Sequence, residues 1–151
     1  MALNMDIVGA KYLLAFIDTD GDFLNGRQSY VLHVPKDIPV ALFWSVTVYD
    51  PITGSGLDNG QPFPSLNTMD KPVMNDDGSM DLFFSPQSPG AGKNWLATIP
   101  GKGWFTIFCL YGPKQSFFAP VCRQLAQNPT VRLSKTVLIA IRHDVCSVPN
   151  L

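Results

Sequence analysis

The chain has 151 residues, a length that suits one domain with a sizeable core. Only 15% of the residues are charged, and 11 basic against 12 acidic side chains leave a net charge of −1. That balance excludes a basic nucleic-acid-binding surface and an acidic solvating tail. All twelve acids are aspartates, with no glutamate. Glutamate favours helices and aspartate favours turns and caps, so the composition speaks against a helical bundle. With 12 glycines and 13 prolines, the expected class is mainly β and rich in turns. No apolar run approaches the roughly 18 residues of a membrane-crossing helix, so no membrane span is expected. The first six residues carry an acid and no Lys or Arg, unlike a secretory signal. Cys109, Cys122 and Cys146 are odd in number and lack Cys-x-x-Cys spacing, which predicts neither a disulfide framework nor a zinc site. The sequence as given reads as a reduced, cytoplasmic protein, although a longer form could carry an export signal.

In chain order, the first predicted strand is Tyr12–Ile17, followed by the Asp-Gly turn chemistry of residues 18–22. Ser29–Val34 is the second strand, stopped by Pro35. Phe43–Tyr49, rich in β-branched and aromatic residues, is the third. Residues 51–72 form a long excursion with four prolines and Gly54, Gly56 and Gly60. A connection that long is either functional or packed by its own side chains. Beyond the turn at 75–78, Met80–Phe84 reads as a strand ended by Pro86. A Gly/Pro loop then precedes the short segment Asn94–Leu96. Trp104–Tyr111 is apolar on both alternating faces, as a central strand covered from two sides would be. This spacing of strands predicts an antiparallel β-sandwich or jelly roll.

Several blocks, taken together and in order, resemble a known family. They include Phe16-Ile17-Asp18-Thr19-Asp20-Gly21, Tyr30-Val31-Leu32-His33-Val34-Pro35 and Phe43-Trp44-Ser45-Val46-Thr47-Val48-Tyr49-Asp50. Gln61-Pro62-Phe63-Pro64-Ser65, Asn75-Asp76-Asp77-Gly78-Ser79, Asn94-Trp95-Leu96, Pro100-Gly101-Lys102-Gly103-Trp104-Phe105 and Leu110-Tyr111-Gly112-Pro113 continue the likeness. The sequence is similar over about residues 9–118 to a mainly bacterial family catalogued as domain of unknown function 1214. The resemblance implies a β-sandwich of jelly-roll type, usually the C-terminal half of a two-domain protein, and brings no agreed activity. A sister N-terminal domain, or self-association in its absence, is the partner it implies. Cys109 stands where the family usually carries an arginine, so an anion-binding role for that arginine is not expected here.

The likeness stops near Phe118, and the charge changes there too. Residues 1–118 hold seven basic residues and eleven aspartates, net −4, whereas 119–151 hold four basic residues and one aspartate, net +3. The expected organisation is a β-sandwich domain at 1–118 and a divergent, poorly packed tail at 119–151, as a truncated or frame-altered gene product would have.

Chemistry-bearing constellations are few. Asp18, Asp20 and Asp22 alternate as calcium ligands do, but an EF-hand loop wants Gly at its sixth position and an acid at its twelfth, where Ser29 stands; a hairpin turn is expected. Gly54-x-Gly56-x-x-x-Gly60 lacks the Lys-Ser/Thr of a phosphate loop. With only His33 and His143 and no glutamate, a cupin-like metal site is not expected, nor is any cofactor. His33 lies on the strand face opposite Tyr30, Leu32 and Val34 and is expected to be a hydrogen-bonded sheet residue rather than a general base. No Gly-x-Ser-x-Gly elbow occurs and Cys109 sits in an apolar strand, so no catalytic residue is assigned.

Trp44 and Trp104 are expected to fill the core. Trp95, between a Gly/Pro loop and a short strand, is the ring expected to be partly exposed. A ligand pocket would have Asn94 and Trp95 at its rim, with Tyr49 and Phe63 as neighbours. Three function classes follow: a non-catalytic module that packs on a sister domain or on itself, a binder of carbohydrate or a small aromatic ligand, and part of a hydrolase or lyase site completed by an N-terminal domain.

Overall fold

The computed structural model describes residues 9–114; the tail at 119–151, with Cys122, His143 and Cys146, lies outside the described residues. Seven strands are present among the described residues: β1 (Ala10–Ala15), β2 (Tyr30–Val34), β3 (Val40–Tyr49), β4 (Ser65–Asn67), β5 (Met80–Ser85), β6 (Asn94–Ala97) and β7 (Phe105–Pro113). A 3-10 turn, Thr68–Asp70, joins β4 to the connection leading to β5. The strands form two sheets, ordered β1-β7-β3-β4 and β2-β5-β6. The mainly β reading therefore holds, with no α-helix among the described residues.

Alternation of apolar and polar side chains explains both sheets. On β2, Tyr30, Leu32 and Val34 are buried while Val31 and His33 are only partly covered. Trp44, Val46 and Val48 of β3, Leu82 and Phe84 of β5, and Phe108 and Leu110 of β7 point the same way, inward. These side chains belong to one cluster drawn from both sheets, so the sheets share a single core. Trp104, just before β7, stacks on Phe84 with ring centroids 5.0 Å apart and meets Tyr30 edge-on at 5.6 Å. Trp44 meets Phe108 edge-on at 5.5 Å. Both tryptophans are nearly inaccessible, in keeping with the core role read from the sequence.

The expectation of an antiparallel arrangement needs one correction. Four strand pairs are antiparallel, but β5 and β6 run parallel, with Leu82 opposite Asn94 and Ser85 opposite Ala97. The loop carrying Pro86, Pro89, Gly90 and Gly92 returns the chain to the start of β5 before β6 begins. Side-chain alternation is the same for either direction of a neighbour, so the sequence pattern carries no direction.

The 51–72 excursion is packed by its own groups. Val48 N–H donates to Pro64 O and Leu57 N–H to Val48 O, each at 2.9 Å, holding the loop against β3. Strand β4, hidden inside this loop, pairs Ser45 with Asn67 and Thr47 with Ser65. At three residues it is too short and too polar to leave an alternation signal. Asn67 accepts from Met69 N–H at 2.7 Å, and Asp70 accepts from Asn67 N–H at 2.8 Å, a reciprocal cap on the 3-10 turn. The aspartate-rich segment is a hairpin turn as expected. Asp18 Oδ1 accepts from the N–H groups of Asp20 and Asp22, and Ile17 bridges Phe23.

Gly26 marks the closest backbone approach at any glycine among the described residues. A Cβ there would lie 1.9 Å from the carbonyl oxygen of Ile99, which belongs to backbone and cannot rotate away. Gly26→Ala should therefore destabilise the domain by about 2–3 kcal/mol, as overpacking does. Its melting midpoint in a thermal scan should fall by roughly 10–20 °C.

Candidate functional site

The outward face of the four-stranded sheet is the least ordinary surface of the molecule. Strand pairing aligns its side chains in rows: Ala10, Tyr111 and Phe43; Tyr12, Cys109 and Ser45; Leu14, Ile107 and Thr47. At one end of the sheet Phe105 stands between Phe16, 4.8 Å away, and Tyr49, 5.2 Å away, all three rings stacked. At the other end Phe43 stacks on Tyr111 at 4.3 Å. Tyr12 is 55% exposed, Phe16 44% and Leu14 38%. Solvated sheet faces ordinarily alternate to polar residues, and on β1 and β7 this one does not, polar residues entering only with Ser45 and Thr47 of β3. Its β7 row is the strand whose two apolar faces were legible in the sequence. Partial burial raises the Tyr111 phenol above the usual tyrosine range, with Cys109 beside it adding to the effect.

The outward face of the three-stranded sheet is different in kind. His33 Nδ1 lies 2.7 Å from Asp81 Oδ1 across the β2–β5 pair, so His33 is a hydrogen-bonded sheet residue as expected. Asp81 Oδ2 also accepts from Asn75 Nδ2 at 3.2 Å. Ser79, the nearest hydroxyl of this turn, donates to Asp77 instead. Together with the Ser79 N–H it holds the Asp77 carboxyl below the usual carboxylate range. A nucleophile bonded to His33 is absent among the described residues, so the pair lacks the geometry of nucleophilic catalysis. On the same face Trp95 neighbours Phe83 across the β5–β6 pair, and Lys93 Nζ sits 5.7 Å from the Phe83 ring centroid.

The four residues singled out for a ligand rim occupy separate places. Tyr49 lies on the outward face of the four-stranded sheet, whereas Trp95 faces outward from the other sheet, with its indole N–H donating to Ser85 O at 3.0 Å. Phe63 is 75% exposed on the long excursion. Asn94 is buried, and every polar atom of its side chain is engaged. Its Oδ1 accepts from Val73 N–H at 2.7 Å, and its Nδ2 donates to Val73 O at 2.8 Å and Asp81 O at 3.1 Å.

Two amides that the sequence did not single out complete this set. Gln61 Oε1 accepts from Ala97 N–H at 2.8 Å while its Nε2 donates to Trp95 O at 3.3 Å. Asn59 Nδ2 donates to Ala97 O at 2.8 Å. The outer edge of β6 is thereby sealed by side chains rather than by another strand. Their sequence signal is the amide-rich, proline-bounded stretch 59–64, which reads as loop, and the family-like block that Gln61 opens.

With this geometry in hand, the relatives are informative. The family model described as a protein of unknown function, DUF1214, matches residues 9–115. The chain belongs to this family. The crystal structure of the VPA0106 protein from Vibrio parahaemolyticus is similar, with 26% identity and a TM-score of 0.58 over 72% of this chain. An uncharacterised protein from Burkholderia cenocepacia shares the fold at 21% identity, with a TM-score of 0.53 over 70% of this chain. In both cases the chain spans about a quarter, 27%, of the solved protein's length. No curated protein matches the sequence. The DUF1214 match ends within three residues of the sequence-based estimate of where the likeness stops, just past β7.

Two outcomes follow from these sites. Asn94→Asp keeps the acceptor for Val73 N–H but replaces the donor to two carbonyls with a buried anion. It should cost about 2–4 kcal/mol, read as a lowered urea midpoint at pH 7. Tyr111 titrates above its ordinary value of 10.0 in the folded state. The stability it confers is complete below that value and is lost as the pH rises through the folded one. Tyr111→Phe should therefore flatten the decline of stability above about pH 10, measured by urea melts across the alkaline range.

Proposed function

We propose that this DUF1214 domain is a non-catalytic packing module, a β-sandwich of jelly-roll type. Its outward four-stranded face docks on a sister domain of a two-domain protein or, without one, on a second copy of itself. The carrying observation is that face: Phe16, Phe105 and Tyr49 stacked at one end, Phe43 on Tyr111 at the other, and exposed Tyr12 and Leu14 between. Monomeric proteins seldom leave a contiguous apolar surface of that kind uncovered, because burying it gives about 25 cal/mol per Å². The length relation to the solved relatives supports a larger context, since this fold accounts for 27% of each. The low charged fraction, 15%, fits a surface shared with another polypeptide.

Made alone, the chain should associate through this face. Sedimentation velocity should reveal dimers or larger species that rise with concentration. The double substitution Tyr12→Lys and Leu14→Lys, at exposed positions, should return it to a monomer with about 1 kcal/mol or less lost in stability. A wild-type chain that stays a monodisperse monomer throughout would overturn the proposal.

A further inference from the structure

A second feature, independent of the sheet face, sits at one end of the two sheets. A groove of about 420 Å³ opens between the β2–β3 connection, the 3-10 turn and the start of β5. That volume falls within the roughly 300–1,000 Å³ of small-molecule sites. Its apolar wall is formed by Ile38, Val40, Met74 and Met80. Two methionines give such a wall the ability to adapt to different shapes.

Lys36 and Lys71 line the groove, and neither is held in an ion pair among the described residues. Asp37 is the one acid among the lining residues, so the groove carries a net positive charge. Trp44 also lines it. That residue is only 3% exposed, so it belongs to the floor of the groove rather than to its rim.

The backbone of the rim adds a third observation. Asp37 at φ 59° and Lys71 at φ 52° are the two non-glycine residues with left-handed backbone among the described residues, and both border this groove. Such conformations persist only where surrounding structure imposes them, and they gather at binding sites. Here the imposing structure includes Asn94, whose amide grips Val73 through both its N–H and its carbonyl, fixing the wall from Lys71 to Met74.

We propose that this groove binds a small organic carboxylate with an apolar body, such as a medium-chain or aryl-substituted acid. The lysines face the carboxylate, the methionine-lined wall covers the hydrocarbon, and Trp44 packs against it from the floor of the groove. Asn94 acts as a positioning residue, holding the wall without touching the ligand.

The test is a titration of ¹⁵N-labelled protein with sodium octanoate, following the three tryptophan indole N–H signals. The Trp44 signal, assigned by its loss in Trp44→Phe, should shift saturably while that of buried Trp104 stays still. 1-Octanol and an octyl ammonium salt should bind more weakly than octanoate. Lys36→Gln and Lys71→Gln should each weaken octanoate about 3- to 5-fold, as loss of a solvent-screened charge contact does. An unmoved Trp104 signal in these variants certifies that they remain folded. The proposal is overturned by a Trp44 signal that does not move at about 10 mM octanoate. It is equally overturned by octanol matching octanoate, or by lysine variants that bind as the wild type does. Because the readout is a local signal rather than assembly, its failure is separate from failure of the sheet-face proposal.

Discussion

Three buried or half-buried amides determine how the two sheets end. Strand β6 is an edge, and an edge with bare N–H and carbonyl groups either recruits another strand or must be covered. Gln61 and Asn59 occupy its backbone groups at Trp95 and Ala97, while Asn94 turns the other way and grips Val73. These bonds bring a loop that begins beside β3 into contact with the far sheet. They also fix the segment leading from the 3-10 turn to β5. Because each amide donates and accepts at once, no single-atom change preserves the arrangement.

With one sheet closed in this way, the remaining open surfaces become meaningful. The three-stranded sheet turns outward a mixed face, with His33 and Asp81 paired and Lys93 near Phe83. The four-stranded sheet turns outward an aromatic and aliphatic face along β1 and β7, bordered on β3 by Ser45 and Thr47 between Phe43 and Tyr49. Both are built on the same alternation, and they differ only in which residues fall at the outward positions. A mixed polar face is comfortable in water; the aromatic one gains free energy from being covered. The end groove is a third kind of surface, small, concave and positively charged, and it depends on the same amide that anchors β6 to the preceding loop.

Several of the described side chains that could carry chemistry are engaged in local structure. Asp18 spends its carboxylate on the N–H groups of Asp20 and Asp22, and Ser79 spends its hydroxyl on Asp77. Cys109 is buried on β7 between Tyr12 and Ser45 of the flanking strands. Many polar side chains among the described residues are occupied in turns, caps and edges, as expected where Asp, Asn, Gly and Pro organise many short connections.

The sequence by itself determined the strands that carry strong alternation, the core role of Trp44 and Trp104, the hairpin turn at Asp18–Asp22 and the family. Each rests on local pattern, because a period of two and a turn residue at a fixed offset are written in neighbouring positions. Tertiary structure alone decided that β5 and β6 run parallel, since alternation is blind to direction. It also decided that β4 exists, because the three residues Ser65, Leu66 and Asn67 become a strand only through the hydrogen bonds β3 offers. The fate of Asn94 follows the same logic. Beside Trp95 in the sequence it resembles a ligand-facing amide, but β6 turns alternate residues to opposite sides, so Trp95 faces outward while Asn94 is drawn in to meet Val73. Lys36 and Lys71, 35 positions apart, meet at one groove only because two sheets and a capped 3-10 turn converge there. No local pattern records such a meeting, because its cause is the packing of segments distant in the chain.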